Sequence, residues 1–286
     1  MPLDSSLSSP VSTDIILRAN RERDFFNHHT DPATIPDEAL IVPKILDAIP
    51  EEVAEYMPDL KDKHICEVGC GYGIISCYFA QRGACVSGFD ISETNVCLAE
   101  RAAQINGMAE RVSLQVMPGE CMAFADNKFD LVFGNAVLHH LDIVSAAREI
   151  YRVLKPGGIA IFREPFGENR LLEWGRNCSW RSSSHRHTDD EHSLCYRDVE
   201  ILRTVFPKVI FRESELLSVF RYFLRKAEIG MIAVPRFEKA TRRLERLDRW
   251  LLSRVPALRR FASYSVVSMF KPEVFKAELV LRNSGS

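Results

Sequence analysis

The sequence lacks the features of membrane-spanning, secreted or disulfide-stabilised proteins. No stretch reaches the ~18 consecutive apolar residues that a membrane-spanning helix needs. The N-terminal residues hold neither a cationic start nor an apolar segment of the kind found in secretory signals. The 8 cysteines are sparse, and Cys66, Cys77 and Cys97 lie in apolar runs, which favours reduced, buried thiols. We therefore expect a cytoplasmic protein.

The composition is that of an ordinary globular protein. Hydrophobic residues make up 46% and charged residues 27% of the 286 positions, which excludes a disordered or fibrous chain. This length predicts one large domain, or one domain with a substantial insertion. The net charge of −2 conceals a basic segment, because residues 221–260 alone carry a net charge of +8.

Strands and helices alternate through the middle of the sequence. The pattern predicts strands over 63–68, 85–90, 112–116, 129–134 and 159–163, and helices over 74–81, 92–105 and 143–153. Later residues predict a helix over 196–206 and strands over 209–211 and 265–270. Such alternation indicates a parallel sheet with right-handed crossovers.

Other segments flank this alternating region. We predict a flexible tail over 1–13, helices over 14–58 that cover the active site, a core over 59–218 with a substrate loop over 165–195, a basic helical cap over 219–262, and a final strand and tail over 263–286. Within the cap, Phe237, Ala240, Leu244, Leu247 and Leu251 follow helical spacing and predict an amphipathic helix.

A glycine-rich turn follows the first predicted strand. It reads Glu67-Val68-Gly69-Cys70-Gly71-Tyr72-Gly73, and Ile74 occupies the place of the third glycine in a dinucleotide fingerprint. Glu67 would repel a pyrophosphate but suits a cationic ligand. Asp90 closes the next strand, where an acid accepts hydrogen bonds from ribose hydroxyls. A ribose-containing, cationic ligand such as S-adenosylmethionine fits this pattern.

Four motifs occur in order over about residues 60–164: EVGCGYG, the strand-end Asp90, GECMAFADNKFDLVFGNAVLHHL and VLKPGG. With them the sequence resembles the class I S-adenosylmethionine-dependent methyltransferases, specifically the small-molecule group. The resemblance implies an α/β, Rossmann-like fold: a seven-stranded, mostly parallel sheet with helices on both faces and an antiparallel last strand. The basic helical cap would then be inserted between strands six and seven.

The resemblance also implies roles for individual residues. Glu67 would organise the methionine amino group, and Gly69, Cys70 and Gly71 would form the backbone beside the donor. Asp90 would hold the ribose, Ile91 would line the adenine, and Asn135 would approach the methionine end.

Relatives often carry Gly-Asp-Ala-Glu at the position of Met117-Pro118-Gly119-Glu120, and that Asp reaches the adenine amine. Pro118 replaces it here. We therefore expect Glu120, with the neighbouring Cys121 or the local backbone, to make the adenine contact.

Two histidines follow the fourth predicted strand, at the sheet edge where an acceptor should lie. Methyl transfer needs a general base only for a reluctant nucleophile such as a hydroxyl. His140, with His139, is our candidate catalytic group, and a structural role for these histidines is the alternative. His185, His187 and His192 lie near acidic residues of types that suit zinc, but their spacing favours a polar substrate loop without metal.

The sequence therefore predicts a methyltransferase acting on an O, N or C nucleophile of a small molecule: a metabolite, a natural product or a lipid-like compound. The alternative is an enzyme on the same scaffold that binds S-adenosylmethionine and catalyses a cyclisation or rearrangement. The basic helix has three interpretations: a solvated cap face, an attraction for an anionic or lipid-like acceptor or a membrane surface, or nucleic-acid binding. Aromatic interleaving is poor and the polar face includes acids, so we expect no nucleic-acid partner.

Overall fold

Seven strands form one sheet in the order β3-β2-β1-β4-β5-β7-β6. They are β1 His64–Val68, β2 Cys85–Asp90, β3 Val112–Val116, β4 Phe129–Asn135, β5 Leu154–Pro165, β6 Lys208–Ser214 and β7 Tyr264–Phe270. Strands β1 to β5 pair in parallel, whereas β7 runs antiparallel between β5 and β6. The predicted seven-stranded sheet with an antiparallel last strand is confirmed.

The computed structural model describes residues 13–29, 31–42, 49–169, 193–218 and 235–273. Its helices are α1 Thr13–His29, α2 Glu51–Ala54, α3 Ile74–Ala80, α4 Glu93–Ile105, α5 Ile143–Val153, α6 Tyr196–Val205 and α7 Pro235–Arg254. The predicted N-terminal tail, most of the 165–195 loop with its histidines, and the first part of the basic segment lie outside the described residues. The tail predicted after the last strand does so as well.

Helices cover both faces of the sheet, so its central strands are buried on both sides. In β4, Val132 packs with α5 and α6 in one apolar cluster, while Leu131 and Phe133 pack with α3 and α4 in the other. Successive side chains of a strand point to opposite faces, so a continuous apolar run serves both clusters. The carboxyl ends of β1, β2 and β4 consequently meet at one edge, between the two helical layers.

Several predicted boundaries need correction. Within the helices predicted over 14–58, residues 35–56 hold only a short 3-10 helix, Asp37–Leu40, and the four-residue α2, while residues 43–48 lie outside the described part. Strand β5 begins at Leu154, five residues earlier than predicted. Leu154 pairs with Phe129 and Ile159 pairs with Leu131, so residues 155–158 form an irregularity within the strand. Helix α1 spans Thr13–His29 and so begins at the last residue of the tail predicted over 1–13.

Candidate active site

The glycine turn after β1 packs tightly against the chain that follows β4. Gly69 has a φ of 64°, and a Cβ added there would lie 2.5 Å from Val137 Cγ2. At Gly71, with a φ of 50°, an added Cβ would meet nothing within 4 Å. A side chain at Gly69 is therefore excluded on both steric and conformational grounds. Gly71 lies in open space on the cavity wall.

Asp90 connects this turn to the start of α4. Its Oδ2 accepts a hydrogen bond from the Gly71 amide at 2.9 Å, and its Oδ1 accepts from the Ser92 amide at 3.0 Å and from Asn95 Nδ2 at 3.2 Å. Burial raises the pKa of the Asp90 carboxyl, while these hydrogen bonds act to lower it. The group is thus held rigidly at the end of β2, with its acceptor oxygens beside the cavity.

Glu67 is buried beneath the glycine turn rather than on the cavity wall. The Ser76 hydroxyl of α3 donates a hydrogen bond to Glu67 Oε2. Burial raises the pKa of Glu67 to about 8, against the lowering effect of this hydrogen bond. The carboxyl therefore does not line the cavity, and the role that the resemblance implies for it stays a prediction.

A cavity of about 250 Å³ opens at this edge of the sheet. Its polar wall residues are Glu22, Asp90, Asn95, Glu120, Asn135 and His140, set among apolar ones. Three of them are acidic, and no lysine or arginine of the described residues lines the cavity. Such a wall repels a diphosphate and suits a ligand that carries positive charge.

Helix α1 closes the cavity from the side opposite the strands. It contributes Ala19, Glu22 and Phe26 to the wall, and the Glu22 side chain is buried. Asn27 fixes the end of the helix, because its Oδ1 accepts a hydrogen bond from the Ser92 hydroxyl at 2.7 Å. Arg18 Nη2 donates to the His139 carbonyl at 3.3 Å. The sequence predicts that helices over 14–58 cover the active site, but it does not indicate that Glu22 and Phe26 are the side chains that reach the cavity.

The two candidate histidines have different surroundings. His140 lies on the cavity wall, with its Nδ1 3.3 Å from Glu22 Oε2 and its ring edge-on to Phe26. His139 is buried, with its Nδ1 2.7 Å from Glu164 Oε2. The other oxygen of Glu164 accepts hydrogen bonds from the amides of Val137 and Leu138.

The Glu164 carboxylate therefore holds His139 and the turn after β4 together. In that turn Ala136 has a φ of 54°, in the left-handed region that a residue with a Cβ rarely adopts.

The structure brings most of the predicted site residues together. Those on the cavity wall are Gly69, Gly71, Asp90, Ile91, Glu120, Asn135 and His140. Glu67, Cys70 and His139 are buried and do not line the cavity, whereas Cys121 is exposed to solvent. At the position of the missing adenine ligand, Met117, Gly119 and Glu120 line the cavity. Glu120 Oε1 accepts a hydrogen bond from the Asp142 amide at 3.0 Å.

Comparison with known proteins identifies the region that carries this site. A family model described as a methyltransferase domain matches residues 66–162. Residues 66–162 are a class I S-adenosylmethionine-dependent methyltransferase domain. The predicted family and methyl donor are thereby confirmed for this part of the chain. The domain includes the glycine turn, Asp90, Glu120 and both histidines, but not helix α1.

Curated relatives share this domain and little beyond it. A ubiquinone biosynthesis O-methyltransferase of Pseudomonas entomophila is 36% identical over 107 residues, which are 36% of this chain and 44% of that protein. Methyltransferase GfsG of Streptomyces halstedii is 29% identical over 110 residues, 38% of this chain and 40% of the relative. The chain thus spans less than half the length of these curated relatives.

Solved structures extend the likeness to most of the chain. Geranyl diphosphate C-methyltransferase from Streptomyces coelicolor A3(2) is similar with a TM-score of 0.57 and 14% identity, covering 92% of this chain and all of that one. The [4+2]-cyclase SpnF is similar with a TM-score of 0.51 and 21% identity, covering 78% of this chain and 79% of SpnF. At these identities the likeness shows the fold alone.

In the part of the chain that the structure describes, no helix combines the length and apolar character needed to cross a bilayer. Nor do three or more His, Cys, Asp or Glu side chains of these residues form a group that could hold a metal ion. The three histidines of the 165–195 loop lie outside the described residues.

Proposed function

We propose that the whole protein transfers a methyl group from S-adenosylmethionine to a hydroxyl of a small-molecule acceptor. The observation that carries this proposal is His140, which lies on the wall of the acidic cavity with Glu22 Oε2 3.3 Å from its Nδ1. A general base is needed for a hydroxyl and not for a strong nucleophile. The name of the Pseudomonas relative, an O-methyltransferase, agrees with such an acceptor.

The residues around the cavity fit the donor. Asp90 would accept hydrogen bonds from the ribose hydroxyls, and the acidic wall would favour the positive charge of the sulfonium and the amino group. Glu67 would act on the amino group through the glycine turn, and Met117 and Glu120 would lie near the adenine. Bound S-adenosylmethionine supplies an electrophilic methyl carbon, which the acceptor oxygen attacks in line with the departing sulfur.

His140 would take the proton that the acceptor hydroxyl loses as the new C–O bond forms and the C–S bond breaks. Glu22 Oε2 lies 3.3 Å from Nδ1, and an imidazole that carries its hydrogen on Nδ1 has Nε2 able to accept a proton. Glu22 would then stabilise the imidazolium. Positioning and exclusion of water by α1 would supply the rest of the rate enhancement.

The first test is calorimetric titration with S-adenosylmethionine, S-adenosylhomocysteine and NADH. We expect the two adenosyl ligands to bind and NADH not to bind. Asp90→Ala should weaken donor affinity about 100-fold or more, because two charge-assisted hydrogen bonds to the ribose are lost.

Asp130→Ala is the matched control. Asp130 also accepts a backbone hydrogen bond, from the His64 amide at 2.9 Å, but it lies at the opposite edge of the sheet. Its loss should leave donor affinity unchanged. Binding of NADH alone, or equal affinity losses in both variants, would contradict the proposed donor site.

The second test concerns the base and uses hydroxyl, amine and carbon-acid acceptors with labelled donor. We expect transfer to a hydroxyl, and His140→Asn should lower kcat about 100-fold or more with little change in donor affinity. Glu22→Gln should lower kcat less. His139→Asn, which removes the contact to Glu164, should mainly lower thermal stability. Full kcat in the His140 variant would refute its role as base.

Product analysis separates transfer from the alternative reaction. The fold is also that of a [4+2]-cyclase, so a cyclisation or rearrangement with bound S-adenosylmethionine is the competing function. S-adenosylhomocysteine should accumulate in step with product if a methyl group is transferred. Product without S-adenosylhomocysteine would replace our proposal with the alternative.

A further inference from the structure

The last helix and the turn after it present an exposed basic surface that the methyltransferase site does not use. From position 243 to position 261, every exposed charged side chain is an arginine: Arg243, Arg246, Arg254, Arg259 and Arg260. Four large apolar side chains of the same stretch are also exposed: Leu247, Trp250, Val255 and Phe261. We call the five of these residues that share one side of the helix, Arg243, Arg246, Leu247, Trp250 and Arg254, the arginine–tryptophan face.

The helix is held in this orientation by its opposite side. Asp248 is buried and accepts hydrogen bonds from the Leu216 amide at 3.0 Å and the Leu217 amide at 2.8 Å, just after β6. Leu252 is buried one turn later, and Arg249 pairs with Glu51 of α2. Asp248 therefore faces inward and does not reduce the positive charge of the exposed side.

This orientation differs from the one that the apolar spacing predicts. Leu247 was expected on the inner side with Leu244 and Leu251, but it is 42% exposed, and Trp250 is 56% exposed. Residues 243, 246, 247, 250 and 254 follow i, i+3, i+4, i+7 and i+11 spacing, so they share one side of the helix. Three arginines thus flank a leucine and a tryptophan on a single exposed stripe.

The mixture of side chains indicates which partner fits. Arginines alone would suit any polyanion, including a nucleic acid. Exposed aliphatic side chains such as Leu247 and Val255 make no favourable contact with phosphates, but they enter the boundary between lipid headgroups and acyl chains. Tryptophan is enriched at that depth, because its ring is apolar and its N–H is polar.

We propose that the arginine–tryptophan face docks the protein on the surface of a bilayer that contains anionic phospholipids. The arginines contact the headgroups while Trp250 and Leu247 insert beside them. None of these five residues lines the donor cavity, so docking and donor binding are separable. The proposal does not depend on the identity of the acceptor.

The test is co-sedimentation of the full chain with vesicles of phosphatidylcholine, with and without phosphatidylglycerol. We expect binding only when phosphatidylglycerol is present, and weaker binding as salt is raised, because the attraction is screened. Each arginine near an anionic surface changes the partition about fivefold. Reversal of Arg243, Arg246 and Arg254 to glutamate should therefore weaken binding on the order of 100-fold or more.

The matched control reverses three exposed basic residues elsewhere, Lys61, Arg111 and Arg203, and changes the net charge equally. It should bind nearly as the wild type does. A Trp250→Ala, Leu247→Ala variant should bind less tightly but keep the salt dependence. Donor affinity, measured by calorimetry, should be unchanged in all three variants, which shows that each is folded.

Three outcomes would overturn the proposal. One is no sedimentation of the wild-type protein with phosphatidylglycerol vesicles. Another is an equal loss of binding in the two charge-reversal variants, which would mean that net charge rather than this face is responsible. The last is binding to single-stranded DNA that is stronger than binding to vesicles and that does not change in the Trp250→Ala, Leu247→Ala variant. That result would identify the face as a nucleic-acid surface.

Discussion

Acidic side chains gather around the glycine turn at a cost in stability. Glu67, Asp90 and Glu120 are all buried, and burial raises the pKa of each. Raised pKa values mean that the folded state disfavours the charged forms of these groups. Such an arrangement is typical of functional sites, and a cationic ligand offsets the cost when it binds.

The cost of burying Glu67 should be measurable as a pH dependence of the free energy of unfolding. Its pKa is about 8 in the folded protein against an ordinary value of 4.5, so between these limits the folded state holds a proton that the unfolded state has released. The stability contribution of Glu67 therefore falls as pH rises through this window. Glu67→Gln removes this effect. As pH rises, the free energy of unfolding of the variant minus that of the wild type should therefore increase, by about 1.4 kcal/mol per pH unit at most.

Urea unfolding of both proteins between about pH 5 and pH 8 measures this difference. Glu110→Gln, at an exposed position, is the control and should run parallel to the wild type. A Glu67→Gln curve that also runs parallel would show that Glu67 ionises normally in the folded protein.

At the scale of elements, local patterns predicted the strands and most helices, but not the partners of the outer helices. The apolar runs of β1 and β4 predict strands correctly, because both faces of those strands are buried. Helix α7 turned a different side inward because the carboxylate of Asp248 binds amides about 30 residues away. Spacing within a helix carries no information about such a contact.

The sequence predicts that helices over 14–58 cover the active site, but not which side chains of α1 face the cavity, and the physical reason is the same. Glu22 and Phe26 are ordinary residues of a polar helix until α4 and the turn after β4 lie beside them. The glycine turn and Asp90 were found because their chemistry is local: a turn that requires glycine and an acid at the end of the adjacent strand. Neither local sequence patterns nor the contacts between elements identify the acceptor, because most of the predicted substrate loop over 165–195 lies outside the described residues.

Helix α1 yields a prediction at this scale. Asn27→Ala removes the hydrogen bond from Ser92 and the pairing with Glu93 that fix the end of α1 beside Asp90. We expect donor affinity to fall several-fold, because α1 closes the cavity less often, while the melting temperature changes little. Calorimetry and hydrogen exchange of residues 13–29 measure the two effects.

Asp24→Ala, on the exposed side of the same helix, is the control and should change neither quantity. Unchanged donor affinity in Asn27→Ala would show that closure by α1 does not contribute to donor binding.

At the scale of the whole molecule, the sheet continues well past the methyltransferase domain. Strand β7 pairs with β5 from Ile159 to Pro165 and with β6 along its full length. Arg163 of β5 forms a buried ion pair with Glu215 after β6, and α7 is attached to the following residues. The segment beyond residue 162 is therefore continuous with the core that holds the donor site.

This continuity predicts that donor binding stabilises the molecule as one unit. A ligand at 100 times its Kd adds about 2.7 kcal/mol to the free energy of unfolding, which for a chain of this size raises the Tm by about 4–5 °C. S-adenosylmethionine and S-adenosylhomocysteine should each produce this rise in a single calorimetric transition. NADH should produce none, and Asp90→Ala should abolish the rise while Asp130→Ala keeps it. Two transitions, of which the donor shifts only one, would instead mean that β6, β7 and α7 unfold independently of the donor site.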